Sequence, residues 1–364
     1  MASLDAVGGS ASGWDSAGFR DGVQAALDAF IDEQAVTLEP LGDDAARLVR
    51  EARMSVSGGK RFRAAFCYWG HRAVEPALAD EDALVRACAS LELLHASALV
   101  HDDFMDASDT RRGRPATHRQ FEGEHRSARW RGDPGQYGAA AAILLGDLLL
   151  SWSDELLRRC GLPFAQVAPA LEVFDRCRSE VIAGQFLDVS VQARGRADVD
   201  TAMTVLRYKS AKYSIERPLH IGAALAGASP STMAELTAVG LPLGEAFQLR
   251  DDLLGVFGDP ATTGKPAGDD LIEGKRTVLV ALALDAASPA DAALLDRSLG
   301  TSLSVDQVSE LRRIIDSSGA HAQVEAVIGS LADHAVAALD KATIDDRARE
   351  VLRELASAAT QRVV

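Results

Sequence analysis

Asp102, Asp103 and Asp106 close an apolar stretch and stand just ahead of Arg111, Arg112 and Arg114. On a helix, the carboxylates of Asp102 and Asp106, four residues apart, share a face. Left bare, such a pair costs roughly 0.2–0.5 kcal/mol, and a cation between the two reverses the sign. Oxygen-only ligands suit Mg²⁺, which one or two carboxylates hold together with substrate phosphates. The guanidinium groups beyond suit bidentate phosphate binding. Acids and arginines this close point to a metal-bridged phosphate site. Three acids near a helix C-terminus also oppose its dipole, which a cation relieves. A second stretch repeats the pattern. Asp251 and Asp252 sit on an apolar helix pattern, with Lys265 and Lys275 downstream. Gln248 precedes Asp251 by three residues, so those two share a face.

Other polar residues stand in register with these acids. Lys60 and Arg63 lie one turn apart in GGKRFR. Cations at a helix start oppose the dipole, so an anionic partner explains them better than an exposed basic surface does. His95 lies seven residues before Asp102, two turns down the same face. A lone histidine among leucines is ordinarily a core residue; its register with the acids suggests a role in the site. Gln185 and Asp188, in GQFLD, are one turn apart and could also simply cap or pair locally.

The elements that must position these residues are helices. Ala and Leu are abundant, aromatics are only 5%, and no sustained alternation of the kind a sheet needs appears. The expected helices cover about 14–33, 43–54, a stretch opened by Lys60, and a long span from Asp80 or Glu81 through Asp106. Glu122–Gly138, charged and rich in glycine, reads as a loop. Helices are then expected at 139–160, 164–191, 198–212, 214–227 and 231–257. A glycine-proline loop at Gly258–Gly268 follows, then four or five amphipathic helices from 289. The expected architecture is all-α, a helical bundle around a central cavity. It occupies residues 14–364 behind a disordered tail, residues 1–13.

The ordered set of motifs resembles the trans-type isoprenyl diphosphate synthases, the polyprenyl synthetases. DDFMD with its RRGRP tail is similar to the first aspartate-rich motif, and QLRDD with the following GK to the second. GGKRFR, His95, GQFLD and Lys209 extend the likeness over about residues 40–360. The resemblance implies a Mg²⁺-dependent, chain-elongating prenyltransferase, with Mn²⁺ as a substitute. It implies metal contacts from Asp102, Asp103, Asp106, Asp251 and Asp252. It implies an isopentenyl diphosphate pocket of Lys60, Arg63, His95 and Arg112. The allylic diphosphate would meet Arg111, Gln185, Lys209, Ser210, Gln248, Lys265 and Lys275. Ser210 stands where the family usually has threonine and keeps the hydroxyl. Asp109 and Arg114 are expected only to order their loop. One departure is plain: the fifth position of the second motif is Gly255, with no carboxylate. In the family the growing tail runs along the helix of the first motif, past Ala98 and Ser97 and then Leu94. Small residues at 97 and 98 leave room beyond fifteen carbons, so geranylgeranyl diphosphate is the expected main product. Longer or shorter polyprenyl products are the alternatives. A class I terpene cyclase would lack the pocket around Lys60 and Arg63, and a non-catalytic synthase subunit would tend to lose the first acidic motif.

Bulk properties narrow the partners. The net charge of −15 argues against nucleic acid and against docking on an acidic membrane. The N-terminus has no basic and apolar leader pattern, and no uncharged apolar run reaches 18 residues. The four cysteines, Cys67, Cys88, Cys160 and Cys177, have no C-x-x-C spacing and read as buried, reduced thiols. A cytoplasmic location follows from that reading, and a homodimer is the habit of the family.

Overall fold

A computed structural model describes residues 17–195, 198–258 and 268–360. The expected tail, residues 1–13, and Lys265 lie outside the described residues. The architecture is all-α. The helices are α1 (Ala17–Leu38), α2 (Asp43–Ser55), α3 (Phe62–Arg72), α4 (Glu81–Met105), α5 (Thr117–Ala128), α6 (Pro134–Arg158) and α7 (Phe164–Arg194). They continue with α8 (Val199–Val205), a π-helix (Leu206–Glu216), α9 (Arg217–Leu225), α10 (Pro230–Phe257), α11 (Asp269–Glu273) and α12 (Val278–Ala286). The last four are α13 (Pro289–Ser298), α14 (Val305–Ser317), α15 (Ala320–Lys341) and α16 (Asp346–Thr360).

Helix α4 is the axis. Asp80 caps it by accepting from the Ala83 amide at 2.9 Å, and Glu81 and Asp82 complement its dipole. It is apolar nearly all round, and such a helix is stable only when enclosed. By length and hydropathy α4 could cross a membrane, yet most of it is buried against α1, α3 and α6. Among the described residues, two apolar clusters form the core. The larger holds Phe66, Leu91, Phe174 and Leu219. The second lies beneath the C-terminal half of α10, around Leu249, Leu253, Leu279 and Ile314. Helix α10 contributes to both, and the cavity opens where α4, α7, the π-helix and α10 meet.

Three stretches differ from the sequence expectation. Glu122–Gly138 is not a loop: α5 runs to Ala128 and α6 begins at Pro134. Its charges pair along the helix, Arg119 to Glu122 at 2.9 Å and Arg126 to Glu122, while Phe121 and His125 face inward. Asp133 then caps α6 by accepting from the Gln136 amide at 2.9 Å, ahead of Pro134 in the first turn. The expected break near residue 213 is instead continuous helix, wound as a π-helix across Leu206–Glu216. Finally, Lys60 precedes α3 rather than opening it. Arg61 adopts a left-handed conformation (φ 57°), and its side chain is buried against Glu92, Gln24 and the Val56 carbonyl.

Candidate active site

The cavity, about 1370 Å³, exceeds the roughly 300–1,000 Å³ usual for one small ligand. Its acidic end is built first by α4. Asp102 accepts from Gln185 Nε2 at 2.9 Å and from Lys209 Nζ at 3.0 Å. Burial alone would raise its carboxyl, but Lys209, Lys275 and Arg111 outweigh that and hold it well below the ordinary value. Asp106 terminates the helix. Its side chain is 2% exposed, and neither oxygen has a hydrogen-bond donor among the described residues. Burial and the charge of Asp102 push its carboxyl up to about 6, against Lys275 and Lys209. A buried carboxylate without donors fits a cation.

Asp103 does not line the cavity. It is 3% exposed and takes the Arg111 guanidinium in a bidentate grip, with Nε at 2.8 and 3.1 Å from its two oxygens. One residue along from Asp102, it points about 100° round the helix, on the adjacent face that the spacing predicts, and the Arg111 guanidinium stands where the resemblance implies a metal contact. The grip aims Arg111, whose Nη2 lies 3.9 Å from Asp102. A short hairpin carries the arginines, β1 (Thr110–Arg111) against β2 (Arg114–Pro115). Its two-residue turn, Arg112-Gly113, needs positive φ at both positions, 50° and 72°. Arg112 Nη1 donates to the Ser57 carbonyl at 2.9 Å, which fastens the turn to the loop before α3. Arg114 pairs with Glu51 at 3.2 Å and Asp109 with Arg119 at 2.8 Å, so both order this region as expected.

The basic wall opposite comes from α3 and the π-helix. Arg63 donates to Tyr213 Oη and Ser214 Oγ, each at 2.8 Å, and stacks over the Tyr213 ring. His95 Nδ1 lies 3.0 Å from the same phenol oxygen. Burial, then Arg63 and Arg112, lower the His95 imidazole well below its ordinary value, so it is neutral near pH 7. Lys60 is exposed at the rim. Lys209 bridges Asp188 (2.5 Å) and Asp102, and Ser210 lines the cavity beside it. GQFLD meets Lys209 because Gly184 lets α7 touch the π-helix backbone: a Cβ there would stand 2.4 Å from the Lys209 amide nitrogen.

The second motif faces this wall from α10. Asp251 and Asp252 both line the cavity. Gln248 lines the cavity with Asp251, and its Nε2 donates to Asp252 at 2.9 Å, one full turn on. Burial, then Asp270, push the Asp252 carboxyl up to about 7. Lys275 spans the interval between the motifs, 3.6 Å from Asp106, 3.2 Å from Asp270 and 2.6 Å from Glu273. Among the described residues no three His, Cys, Asp or Glu side chains converge on one point. Asp102, Asp106, Asp251 and Asp252 could supply oxygens to Mg²⁺. Sequence reasoning missed Tyr213 and Glu273. Tyr213 had a signal, four residues after Lys209 on a helical pattern; Glu273 had none.

A helical bundle whose cavity sets two acidic motifs against a basic wall defines a diphosphate-handling transferase. The polyprenyl synthetase family model matches residues 46–316, and the chain belongs to that family. It is 31% identical to a geranylfarnesyl diphosphate synthase of Aeropyrum pernix over 92% of this chain and 98% of the other. It is 32% identical to a (2E,6E)-farnesyl diphosphate synthase of Mycobacterium tuberculosis (82% and 78% covered). Among solved structures, geranylgeranyl pyrophosphate synthase from Corynebacterium glutamicum, complexed with isoprenyl diphosphate and magnesium, superposes with a TM-score of 0.92. That pair shares 41% identity, with 95% of this chain and 99% of the other covered. The protein is a chain-elongating prenyltransferase.

Proposed function

We propose that this enzyme condenses isopentenyl diphosphate with an allylic diphosphate and releases mainly geranylgeranyl diphosphate. The observation that carries the product length is the wall below Asp102. Ala98, half-buried, lines the cavity one turn down, and Leu94, 3% exposed, lines it a turn deeper, with Leu150 and Val181 across from them. A small side chain at 98 leaves the tail a path beyond the farnesyl length, and the leucines form the floor. Ser97 is the poorer probe of that path. Its hydroxyl donates to the Gly146 carbonyl at 2.7 Å, and the residue is 2% exposed against α6.

Lys209, Arg111, Gln185, Ser210 and Lys275 take the allylic diphosphate in this reading, and Lys60, Arg63, Arg112 and His95 the isopentenyl diphosphate. Magnesium, when bound through the α4 and α10 acids, supplies charge neutralisation of the diphosphate. The allylic C–O bond breaks with its electron pair leaving on the diphosphate. The alkene of isopentenyl diphosphate then bonds to the allylic carbon, and one proton passes to the released diphosphate. Lys209 and Arg111 stabilise the charge that grows on the leaving group, which is where fixed cations lower a barrier most. Tyr213 orients Arg63 and His95 together. The four cysteines are free and buried, which fits a reducing cytoplasm. Exposed Ile143 and Leu144 on α6 offer apolar surface for a homodimer.

Chromatography of dephosphorylated products tests the length. Ala98→Phe is expected to shift output from C20 toward farnesyl diphosphate, since an aromatic ring fills about one isoprene unit. An unchanged spectrum in that variant would exclude this face as the tail's path.

A further inference from the structure

Three cations crowd the start of α3, and the middle one has its charge answered inside the protein. Arg61 stands between Lys60 and Arg63. Its side chain is 4% exposed, and Glu92 on α4, 7% exposed, accepts from Nη1 at 3.0 Å. The other nitrogen, Nη2, donates to Gln24 Oε1 on α1 and to the Val56 carbonyl just past α2, each at 2.6 Å. One side chain thereby ties α1, the end of α2 and α4 to the loop before α3. That loop is fixed at both ends. Val56 accepts the guanidinium, and Arg61 itself holds a left-handed backbone, φ 57°, uncommon for a residue with a side chain. Glu92 has a second partner. Arginine carries no acceptor, so Arg61 cannot cap α3 from the position before it. Glu92 Oε1 accepts instead from the Ala64 amide in the first turn of α3, at 3.3 Å. Between the fixed ends lie Lys60 and Ser57, whose carbonyl anchors Arg112, and Arg63 follows in the same first turn. A buried ion pair is poor evidence of stability, since apolar residues of like volume often serve as well. What this pair specifies is the shape of the loop.

We infer that Arg61 and Glu92 are positioning residues. Their buried pair holds Lys60, Arg63 and Arg112 in the arrangement that binds isopentenyl diphosphate, and Arg61 itself does not touch the substrate. The inference rests on the assignment of those three cations to isopentenyl diphosphate above. It fixes a sign. Glu92 is an anion beside an anion site, so by charge alone its removal would strengthen diphosphate binding. By position its removal weakens that binding. A glutamine there can accept from Arg61 or from Ala64, with its NH₂ turned on the other donor.

The test is steady-state kinetics in both substrates on wild type, Glu92→Gln and the double variant Arg61→Met/Glu92→Met, with melting temperatures recorded alongside. In Glu92→Gln the KM for isopentenyl diphosphate is expected to rise about 10–100-fold, as a displacement of about 1 Å can produce, while the allylic KM stays within about threefold of wild type. The double variant removes both charges together, so its melting temperature is expected to hold while its isopentenyl KM rises as in the single variant. An isopentenyl KM that is unchanged or lower in Glu92→Gln would overturn the proposal. So would a folded double variant with wild-type kinetics, or equal rises in both KM values, which would mean a general loosening. Should the double variant not fold, Glu92→Gln decides alone. In each of those cases a wild type that still condenses the two diphosphates leaves the synthase reading standing. A wild type that does not condense them would remove both.

Discussion

Asp102 holds the site together through two donors, yet little of the core depends on it. Lys209 keeps Asp188 as a partner when Asp102 is truncated. Asp102→Ala is therefore expected to cut turnover by far more than tenfold, a barrier rise above about 1.4 kcal/mol, with unchanged circular dichroism. A variant retaining a tenth of wild-type rate would contradict the assignment. A second titratable residue governs stability instead. His220 is buried, and Arg217 Nη1, which can only donate, lies 3.1 Å from its Nδ1. Its Nε2–H therefore donates to Thr237 Oγ1 at 3.0 Å. Burial and Arg217 lower the imidazole to about 4. Unfolded, it titrates near 6.5. Between those values the unfolded chain binds a proton that the native state refuses, so stability falls as pH drops from about 6.5 to 4. The full effect is on the order of 3 kcal/mol. Urea denaturation at pH 7 and 4.5 is expected to show a smaller loss in His220→Gln than in wild type. Equal losses would rule this histidine out.

At the scale of elements, catalytic geometry depends on one helix crossing. The π-helix carries Lys209, Ser210 and Tyr213 on its cavity side, and such windings recur at functional sites. It is braced on the side of α7 by Glu180, which accepts from Lys212 at 3.0 Å and from Arg217 at 2.7 Å. Above that brace, Gly184 permits direct backbone contact with Lys209. Gly184→Val must push α7 away, parting Gln185 and Asp188 from Lys209. The expected result is a loss of kcat/KM of tenfold or more for the allylic substrate, with the isopentenyl KM little changed. Steady-state kinetics in both substrates decide it; a uniform loss would mean that the whole bundle has shifted. The contact was invisible in GQFLD itself, because a glycine in a helix pattern does not say which neighbour needs the space.

The whole molecule brings two acidic motifs, about 150 residues apart in sequence, to opposite sides of one cavity. Without a divalent cation, Lys209, Lys275 and Arg111 answer the first of those motifs. Dialysis against EDTA is expected to abolish turnover, and added Mg²⁺ or Mn²⁺ to restore it. Zn²⁺ is expected to substitute poorly, since the cavity acids offer oxygen and no sulfur. Full activity in metal-free buffer would remove the basis for the proposed chemistry.

The sequence by itself determined what depends on short spacing. Asp102 and Asp106 share a helix because apolar periodicity runs straight into them. The acids and arginines pointed to a metal-bridged phosphate site, and the resemblance to the polyprenyl synthetases carried that to a diphosphate transferase. Composition alone was enough to favour an all-α chain. Tertiary structure decided the pairings. It gave Asp103 to Arg111, Gln248 to Asp252, and Lys275 to acids of both motifs. It folded Glu122–Ala128, charged and close to several glycines, into helix by burying His125 and the neighbouring Phe121. Each of these depends on where one helix crosses another, and a crossing is set by side-chain volume and close backbone approach between residues remote in the chain.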